Sequence, residues 1–180
     1  MTLASSTKTN GMNILEFGTK RENEERRDGG CAVVFDPASQ RYAVNRLEDG
    51  GLLGLFSGGV DPDEDIQAGI LREVVEEGGL DDFLYVEKIA EAMTHYRNIL
   101  KYVNRVAHAT CFLVILKSQH TVPTKHEAHE KFALAWATPD EIVANWQERN
   151  ADHDHDHWIY FLEKAVGRVK ELGYNTMNRL

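Results

Sequence analysis

Residues 58–80 read GGVDPDEDIQAGILREVVEEGGL, a stretch that opens on glycines, turns acidic and closes on glycines again. Between the glycines, apolar side chains recur every fourth residue, at Ile66, Ile70 and Val74. This spacing places them on one face of a helix. The four acidic residues among positions 61–65 suit the positively polarised start of such a helix, and the glycine pair 78–79 suits its end. The stretch therefore predicts a helix over about residues 63–78 with one buried face.

The predicted helix also carries three carboxylates on one side. Glu73, Glu76 and Glu77 stand at positions i, i+3 and i+4, which are neighbours on a helix surface. Like charges this close repel each other, so helix stability does not explain the cluster. Mg²⁺ binds carboxylate and phosphate oxygens and would relieve the repulsion. On these three residues alone, a solvated acidic face is an equally good interpretation.

The spacing around the glutamates narrows the choice. Read from residue 58, the pattern is Gly58-X5-Glu64-X7-Arg72-Glu73-Val74-X-Glu76-Glu77-X-Gly79-Leu80. It resembles, at every specified position, the Nudix box Gly-X5-Glu-X7-Arg-Glu-U-X-Glu-Glu-X-Gly-U, where U is a bulky aliphatic residue. The resemblance implies an α/β (α+β) fold, the Nudix-type α/β/α sandwich with a mixed β-sheet between helices. It also implies a pyrophosphohydrolase that cleaves a diphosphate linkage in a nucleotide-like substrate.

The resemblance further implies a role for each motif residue. Mg²⁺, or Mn²⁺ in its place, would be held by Glu73, Glu76, Glu77 and the backbone of Gly58. Arg72 would pair with Glu64 and so orient the metal ligands. Gly58 and Gly59 would let backbone groups approach metal and phosphate. Gly69 stands where the family usually has alanine, which costs about 1 kcal/mol of helix stability and is not expected to affect catalysis.

A further carboxylate outside the motif is a candidate catalytic group. Members of this family often recruit a glutamate from the loop before a tryptophan-containing strand. Glu130, six residues before Trp136, resembles that position best, and Glu127 resembles it second. Either could bind metal or act as a general base, and an exposed polar loop is the competing interpretation. His126 and His129 are expected to be ordinary loop residues, because this family uses oxygen ligands.

Positive charge gathers in one segment of an otherwise acidic chain. Residues 95–105 lie between two predicted strands and carry Tyr96, Arg97, Lys101 and Arg105. The cations could bind phosphate groups while the tyrosine stacks on a nucleobase. A solvated hairpin tip is the alternative. Arg46, at a strand end before the glycine-rich stretch, is a further candidate for substrate binding.

The motif predicts the reaction and leaves the substrate open. In this family, a tyrosine sixteen residues beyond the box accompanies dinucleoside polyphosphate hydrolases, and a proline there accompanies ADP-ribose hydrolases. Counted from Leu80, that position is Tyr96, so dinucleoside polyphosphates are the favoured substrates. ADP-ribose, other nucleotide sugars and nucleoside triphosphates are the alternatives. A non-catalytic Nudix domain that only binds its ligand is the alternative function.

An Asp/His tract, DHDHDH at residues 152–157, precedes an amphipathic segment. We expect the Asp/His tract to form a solvated loop in which Asp156 caps a helix over about residues 156–172. Metal binding by the tract is the less favoured alternative.

Elsewhere the chain alternates strand-like and helical patterns. Strands are predicted over residues 31–35, 41–45, 83–93, 106–116 and 131–137. A short helix is predicted after the capping sequence that starts at Thr138. We expect one domain over residues 12–180, preceded by a disordered lead-in over residues 1–11.

Composition limits the other classes of function. A net charge of −9 argues against broad electrostatic binding to nucleic acid. No apolar run reaches the roughly 18 residues that a membrane span needs. Cys31 and Cys111 lie in apolar, strand-like runs and are expected to be buried, unbridged residues of a cytoplasmic protein. A small nucleotide-like molecule is the expected partner, and a homodimer is compatible with these features.

Overall fold

The computed structural model describes residues 5–9, 12–128 and 130–174. In this part of the chain the strands are β1 (Ser5–Thr9), β2 (Met12–Gly18), β3 (Glu25–Arg26), β4 (Gly29–Asp36), β5 (Arg41–Leu47), β6 (Leu53–Gly54), β7 (Phe56–Gly59), β8 (Phe83–Asn98), β9 (Val103–Leu116) and β10 (Phe132–Ala137). The helices are α1 (Ile66–Gly78), α2 (Pro139–Gln147) and α3 (Asp156–Glu171).

These strands form one mixed sheet in the order β1-β2-β8-β9-β4-β5-β10. The short strands β3, β6 and β7 add to β9, β5 and β4. Strand β4 runs parallel to β9 on one side, and on the other it is antiparallel to β5 and β7. The glycine-rich β7 therefore lies directly beside the centre of the sheet.

Helices cover both faces of this sheet. In β4, Cys31, Val33 and Phe35 belong to a core that includes side chains of α2 and α3. The intervening residues Ala32 and Val34 belong to a second core, with apolar side chains of α1. A strand buried on both faces reads as a continuous apolar run, which is why residues 31–35 show no alternation. The expected α/β/α sandwich with a mixed sheet between helices is confirmed.

The predicted helices are present, with one shifted start. Helix α1 begins at Ile66 rather than near residue 63, because the Asp65 side chain caps it by accepting a 2.8 Å hydrogen bond from the Ala68 N–H. Helix α2 has the expected capping box between Thr138 and Glu141. Helix α3 covers nearly the whole of its predicted range.

The hairpin of β8 and β9 is longer than the sequence predicts. It extends through most of residues 95–105, where the apolar signal is weak. Its outer part is partly exposed, so polar side chains are tolerated there at no cost in burial.

The N-terminal segment adds two strands to the sheet. Residues 5–9 form β1, antiparallel to β2. Residues 1–4, 10 and 11 lie outside the described residues, and the lead-in over residues 1–11 stays a prediction. Strand β2 in turn runs parallel to β8 over residues 15–18. An unpaired sheet edge recruits a further strand through backbone hydrogen bonds, which depend little on composition. The extent of the domain, residues 12–180, stays a prediction.

Two smaller expectations concern membrane segments and thiols. No helix in the described part of the chain is both long enough and apolar enough to cross a membrane. Cys31 and Cys111 are both buried and carry free thiols, as expected, although they face each other across β4 and β9. A cytoplasmic location stays a prediction.

Candidate active site

Helix α1 presents the motif glutamates near its C-terminal end. Its apolar face, including Ile70 and Val74, packs against the sheet. Gly79 ends the helix in the left-handed conformation, with φ 68°, and its N–H donates to the carbonyl oxygen of Val75. Glycine adopts this conformation without the strain of a Cβ. The packed face and the sharp end together determine where the carboxylates of α1 point.

Glu77 is the most buried of these glutamates. It is 8% exposed, and Asn45 Nδ2 of β5 donates a 2.9 Å hydrogen bond to its Oε2. His126 Nε2 lies 2.9 Å from the Glu77 backbone carbonyl oxygen, and the His126 ring packs on Phe132 with centroids 4.6 Å apart. His126 is thus a loop residue that supports the end of α1.

Arg72 joins the other carboxylates. Its Nη1 lies 2.9 Å from Glu73 Oε1 and 3.0 Å from Glu76 Oε2. Its Nη2 lies 3.4 Å from Glu64 Oε1, so the expected pair with Glu64 is present but is the longest of the three. The guanidinium therefore occupies the space between Glu73 and Glu76.

Gly58 and Gly59 of β7 each lie very close to a side chain of another segment. A Cβ on residue 58 would lie 2.6 Å from Cδ of Glu73, so only glycine lets that side chain lie against the strand. A Cβ on residue 59 would collide with the guanidinium of Arg27. In α1, a Cβ on residue 69 would lie 3.0 Å from Cδ of Glu64. Gly69 therefore borders the Arg72–Glu64 pair, which the sequence does not suggest.

Burial and like charge both oppose ionisation of the carboxylates. Burial, reinforced by the negative charges of Glu73 and Glu130, raises the pKa of the Glu77 carboxyl to about 9. Burial also raises the pKa of Glu73, although the charge of Arg72 acts in the opposite direction. A nearby cation favours the ionised form of such groups. A divalent cation beside Glu77 would therefore lower its pKa and favour its charged form.

Glu130 reaches this cluster from the loop before β10. Its charge acts on both Glu73 and Glu77, and its Oε2 accepts a 2.8 Å hydrogen bond from the Glu127 N–H. Both loop glutamates line the same cavity as Glu73 and Glu77. Glu130 is the stronger candidate of the two, because its charge acts on the helix carboxylates. His129 lies outside the described residues.

The donor set fits a hard divalent cation, because it consists of carboxylate oxygens. Within residues 5–9, 12–128 and 130–174, no three His, Cys, Asp or Glu side chains already converge as a finished metal site. Arg72 lies between Glu73 and Glu76, and Glu76 itself borders a separate depression beside Pro123 and Lys125. Binding of a cation by all the glutamates would thus require Arg72 to move.

The carboxylates form part of the wall of a cavity of about 810 Å³. The predicted substrate-binding residues Gly58, Gly59, Tyr96, Arg97, Lys101 and Arg105 line the same cavity. It therefore offers both anionic and cationic side chains to one ligand. A phosphorylated ligand can contact the cations directly and the carboxylates through a metal ion.

Arg46 is not among the residues that line the cavity. Asn45 and Leu47 line it, whereas Arg46 between them is exposed. The reason is that successive side chains of a strand point to opposite faces. Arg46 thus lies outside the cavity wall, and its contact with substrate stays a prediction.

Contacts within the protein hold the hairpin residues in place. The rings of Tyr96 and His157 pack with centroids 6.0 Å apart and planes inclined at 35°. Arg97 Nη1 donates a 3.1 Å hydrogen bond to Asn104, and Arg105 Nη1 lies 2.8 Å from Glu25 Oε2. The solvated-tip interpretation suits the exposed Arg97 and the turn at residues 99–102, which includes Lys101, but not the partly buried Tyr96 and Arg105.

Residues 154–157 of the Asp/His tract are partly or fully buried, whereas Asp152 and His153 are exposed to solvent. The N-cap of α3 is His155, without a side-chain cap, and Asp156 is the first helical residue, so the predicted cap is wrong. Asn150 explains the shift: its Oδ1 accepts a 2.8 Å hydrogen bond from the His155 N–H, and its Nδ2 donates to Asp156. Asp154 Oδ1 lies 2.8 Å from Arg21 Nη2. These carboxylates thus have protein partners.

Sequence reasoning missed several residues of the cavity wall: Arg27, Asn45, Thr94, His157 and Trp158. A signal existed for Asn45, because a polar residue inside the apolar run of β5 requires a buried partner. Arg27 and Thr94 belong to no recognisable motif. They line the cavity because backbone pairing with neighbouring strands places them there.

Comparison with known proteins gives one family match and several similar structures. The family model described as the NUDIX domain matches residues 25–161. Comparison with curated protein sequences gives no significant match.

Three similar solved structures have the same fold. The Nudix domain of Shewanella oneidensis NrtR, complexed with ADP ribose, is 18% identical with a TM-score of 0.54, covering 83% of this chain and 90% of that one. A binary complex of C. elegans Ap4A hydrolase is 14% identical with a TM-score of 0.56, covering 81% and 98%. A Nudix hydrolase from Nitrosomonas europaea is 20% identical with a TM-score of 0.50, covering 80% and 90%.

At these identities the structural likeness shows the fold, whereas the family model rests on the sequence itself. The model spans well over half of the chain. The matched residues include α1 with its glutamates, β7 and both loop glutamates. The chain therefore belongs to the Nudix hydrolase family.

Proposed function

We propose that the protein is a Mg²⁺-dependent pyrophosphohydrolase that cleaves a diphosphate linkage in a nucleoside diphosphate-X substrate. The observation that carries the proposal is the buried carboxylate of Glu77, held by Asn45 beside Glu73 and Glu130. Burying a carboxylate among others destabilises a fold unless something compensates for its charge. A divalent cation that also binds diphosphate oxygens would supply that compensation.

Within this proposal, Glu73, Glu76, Glu77 and Glu130 would hold Mg²⁺, or Mn²⁺ in its place, together with the backbone of Gly58. The ion would neutralise the diphosphate and lower the pKa of an attacking water. Arg72 would shift its contacts toward Glu64 and so release the oxygens of Glu73 and Glu76. Glu130, on a loop at the cavity wall, is suited to accept the proton of the attacking water.

The rest of the cavity supports a proposed substrate class. Arg97, Lys101 and Arg105 line it together, and three cations suit a phosphate chain longer than a diphosphate. Tyr96 offers an aromatic face beside them. We therefore favour dinucleoside polyphosphates over ADP-ribose, other nucleotide sugars and nucleoside triphosphates.

A specific observation keeps ADP-ribose as the second candidate. The NrtR Nudix domain, of similar fold, is complexed with ADP ribose. The packing of Tyr96 on His157 also gives Tyr96 a structural role that needs no second nucleoside. A domain that binds its ligand without cleaving it would show metal and nucleotide binding but no product.

The experiment is a substrate panel with millimolar Mg²⁺, in which the phosphate-containing products are identified by mass. Wild type is compared with Glu77→Gln and with Glu163→Gln, a control on the exposed face of α3 away from the cavity. We expect turnover that chelator abolishes, lost by about 10² or more in Glu77→Gln and kept in the control. Normal turnover in Glu77→Gln would remove the metal-ligand assignment.

The substrate ranking has its own comparison. We expect kcat/KM for a dinucleoside polyphosphate to exceed that for ADP-ribose. Tyr96→Ala should narrow this difference, because a stacking contact contributes roughly 1–3 kcal/mol. A preference for ADP-ribose would overturn the ranking and leave the reaction class unaffected.

A further inference from the structure

Asn45 is a buried polar residue within the apolar run of β5. It is 3% exposed, and the three residues before it in the strand are also buried. Backbone pairing with Leu134 of β10 and with Gly54 of β6 fixes the strand on both sides. The side chain therefore has little freedom and reaches toward α1, where it contacts Glu77. A polar side chain at such a position costs free energy unless its atoms find partners.

Only one end of the Asn45 amide has a partner. Its Nδ2 donates a 2.9 Å hydrogen bond to Glu77 Oε2, whereas its buried Oδ1 has no hydrogen-bond partner in the described part of the chain. An apolar side chain of similar volume would bury no unpaired oxygen and would suit the strand better. The stability of the fold therefore does not explain Asn45, and the hydrogen bond to Glu77 is the contact that does.

The carboxylate of Glu77 is held from two strands. Asn45 of β5 contacts its Oε2, and the backbone of Ser57 in β7 also forms a hydrogen bond with the carboxylate. Glu77 is 8% exposed, so its carboxylate cannot turn into solvent and replace these contacts with water. A carboxylate that binds an ion through both oxygens must direct both of them toward it. Because Asn45 holds Oε2, Glu77 presents Oε1 as its oxygen for a cation.

This restriction affects which cation the site accepts. Ca²⁺ has a large and flexible coordination shell, and it accepts carboxylates through both oxygens. Mg²⁺ is smaller, requires near-octahedral geometry and keeps several bound waters beside its carboxylate ligands. A carboxylate that is limited to one oxygen therefore weakens the binding of Ca²⁺ more than the binding of Mg²⁺.

We infer that Asn45 is a positioning residue that limits Glu77 to one donor oxygen and so makes the cation site select Mg²⁺ over Ca²⁺. This inference rests on the proposed function, since it concerns the cation of the same site. Asn45 acts through Glu77 alone and takes no part in the chemistry. Removal of its amide frees Oε2, and Glu77 can then bind Ca²⁺ through both oxygens.

Competition for bound Mn²⁺ measures this selectivity without substrate or turnover. Electron paramagnetic resonance follows the signal of free Mn²⁺ while Mg²⁺ or Ca²⁺ displaces the ion from the protein, and the ratio of the two competition constants gives the selectivity. In Asn45→Ala we expect the affinity for Ca²⁺ relative to Mg²⁺ to rise about 5-fold, because a second carboxylate oxygen becomes available to the larger ion. Asn45→Leu keeps the volume of the side chain and should shift the ratio in the same direction.

Asn104→Ala is the matched control. The amide of Asn104 also donates a hydrogen bond, to the carbonyl oxygen of Glu22, but Asn104 does not line the cavity. Its ratio of competition constants should equal that of wild type. Urea unfolding with chelator present verifies that each variant is folded under the conditions of the measurement.

The outcomes separate this inference from the proposed function. An unchanged ratio in the folded Asn45 variants, or an equal loss of affinity for both ions, would overturn the role of Asn45 even if the enzyme hydrolyses its substrate. The same shift in Asn104→Ala would also overturn it. A shift in the Asn45 variants alone supports the inference, even if the substrate panel gives no product. If wild type binds no Mn²⁺, the metal site of the proposed function is wrong and the inference fails with it.

Discussion

Replacement of Glu77 by glutamine should stabilise the metal-free protein while abolishing hydrolysis. In the fold, burial and the charges of Glu73 and Glu130 raise the pKa of Glu77 from 4.5 to about 9. The unfolded chain loses this proton near pH 4.5, so the contribution of Glu77 to stability is greatest below that pH and falls as pH rises toward 9. Each pH unit in this window corresponds to about 1.4 kcal/mol. At pH 7 the ionisable side chain therefore costs the fold up to about 3 kcal/mol relative to a neutral glutamine.

The assay is urea unfolding of wild type, Glu77→Gln and Glu163→Gln at pH 5 and pH 8, with chelator present. The difference between Glu77→Gln and wild type should grow from pH 5 to pH 8, while Glu163→Gln follows wild type. Glutamine keeps an oxygen that can accept the 2.9 Å hydrogen bond from Asn45 Nδ2, so lost packing does not obscure the result. A variant that is less stable than wild type at pH 8 would refute the reasoning.

Three further predictions concern the supporting residues. Arg72→Ala should lower kcat/KM by about 10-fold or more, because Glu64 loses the guanidinium that pairs with it in the proposed metal-bound site. Unchanged kinetics would show that the guanidinium has no positioning role. Gly58→Ala should reduce activity, because the added Cβ would displace Glu73. Gly167→Ala in α3 is the control, since a Cβ there meets nothing within 4 Å. It should leave activity intact and raise stability by about 0.5–1 kcal/mol. His157→Phe should make the free energy of unfolding depend less on pH below pH 7. His157 stays neutral in the fold down to about pH 3, whereas in the unfolded chain it takes up a proton near pH 6.5. Wild type therefore loses about 2 kcal/mol of stability between pH 7 and pH 5. Parallel pH profiles for the variant and wild type in urea unfolding would contradict this last prediction.

The parts of the structure that the sequence predicted correctly are those that local geometry determines. The spacing of Ile66, Ile70 and Val74 predicts α1, since a helix repeats every 3.6 residues whatever surrounds it. That period also places the carboxylates of residues 73, 76 and 77 near one another. The end of α1 follows from Gly79, because a glycine adopts positive φ at little cost.

Strand pairing determined which of two adjacent residues lines the cavity. Arg46 and Asn45 are adjacent in β5, yet only Asn45 lines the cavity and contacts Glu77. Which of two successive side chains points inward depends on which face of the strand the neighbouring elements cover. The sequence alone favoured Arg46 as a substrate contact, because its positive charge suits phosphate.

Long-range packing determined how deeply each carboxylate is buried and what the Asp/His tract contacts. Glu76 and Glu77 are adjacent glutamates, but Glu77 is buried and accepts a hydrogen bond from Asn45, while the half-buried Glu76 contacts Arg72. His157 lies in a tract that composition assigns to solvent, and the packing of α3 on the sheet buries it against Tyr96. The sequence by itself thus determined the helix, the motif and the family, because these depend on residues within one or two helical turns. The tertiary structure alone determined which groups are buried, charged or aimed at the ligand, because burial depends on elements that are distant in sequence.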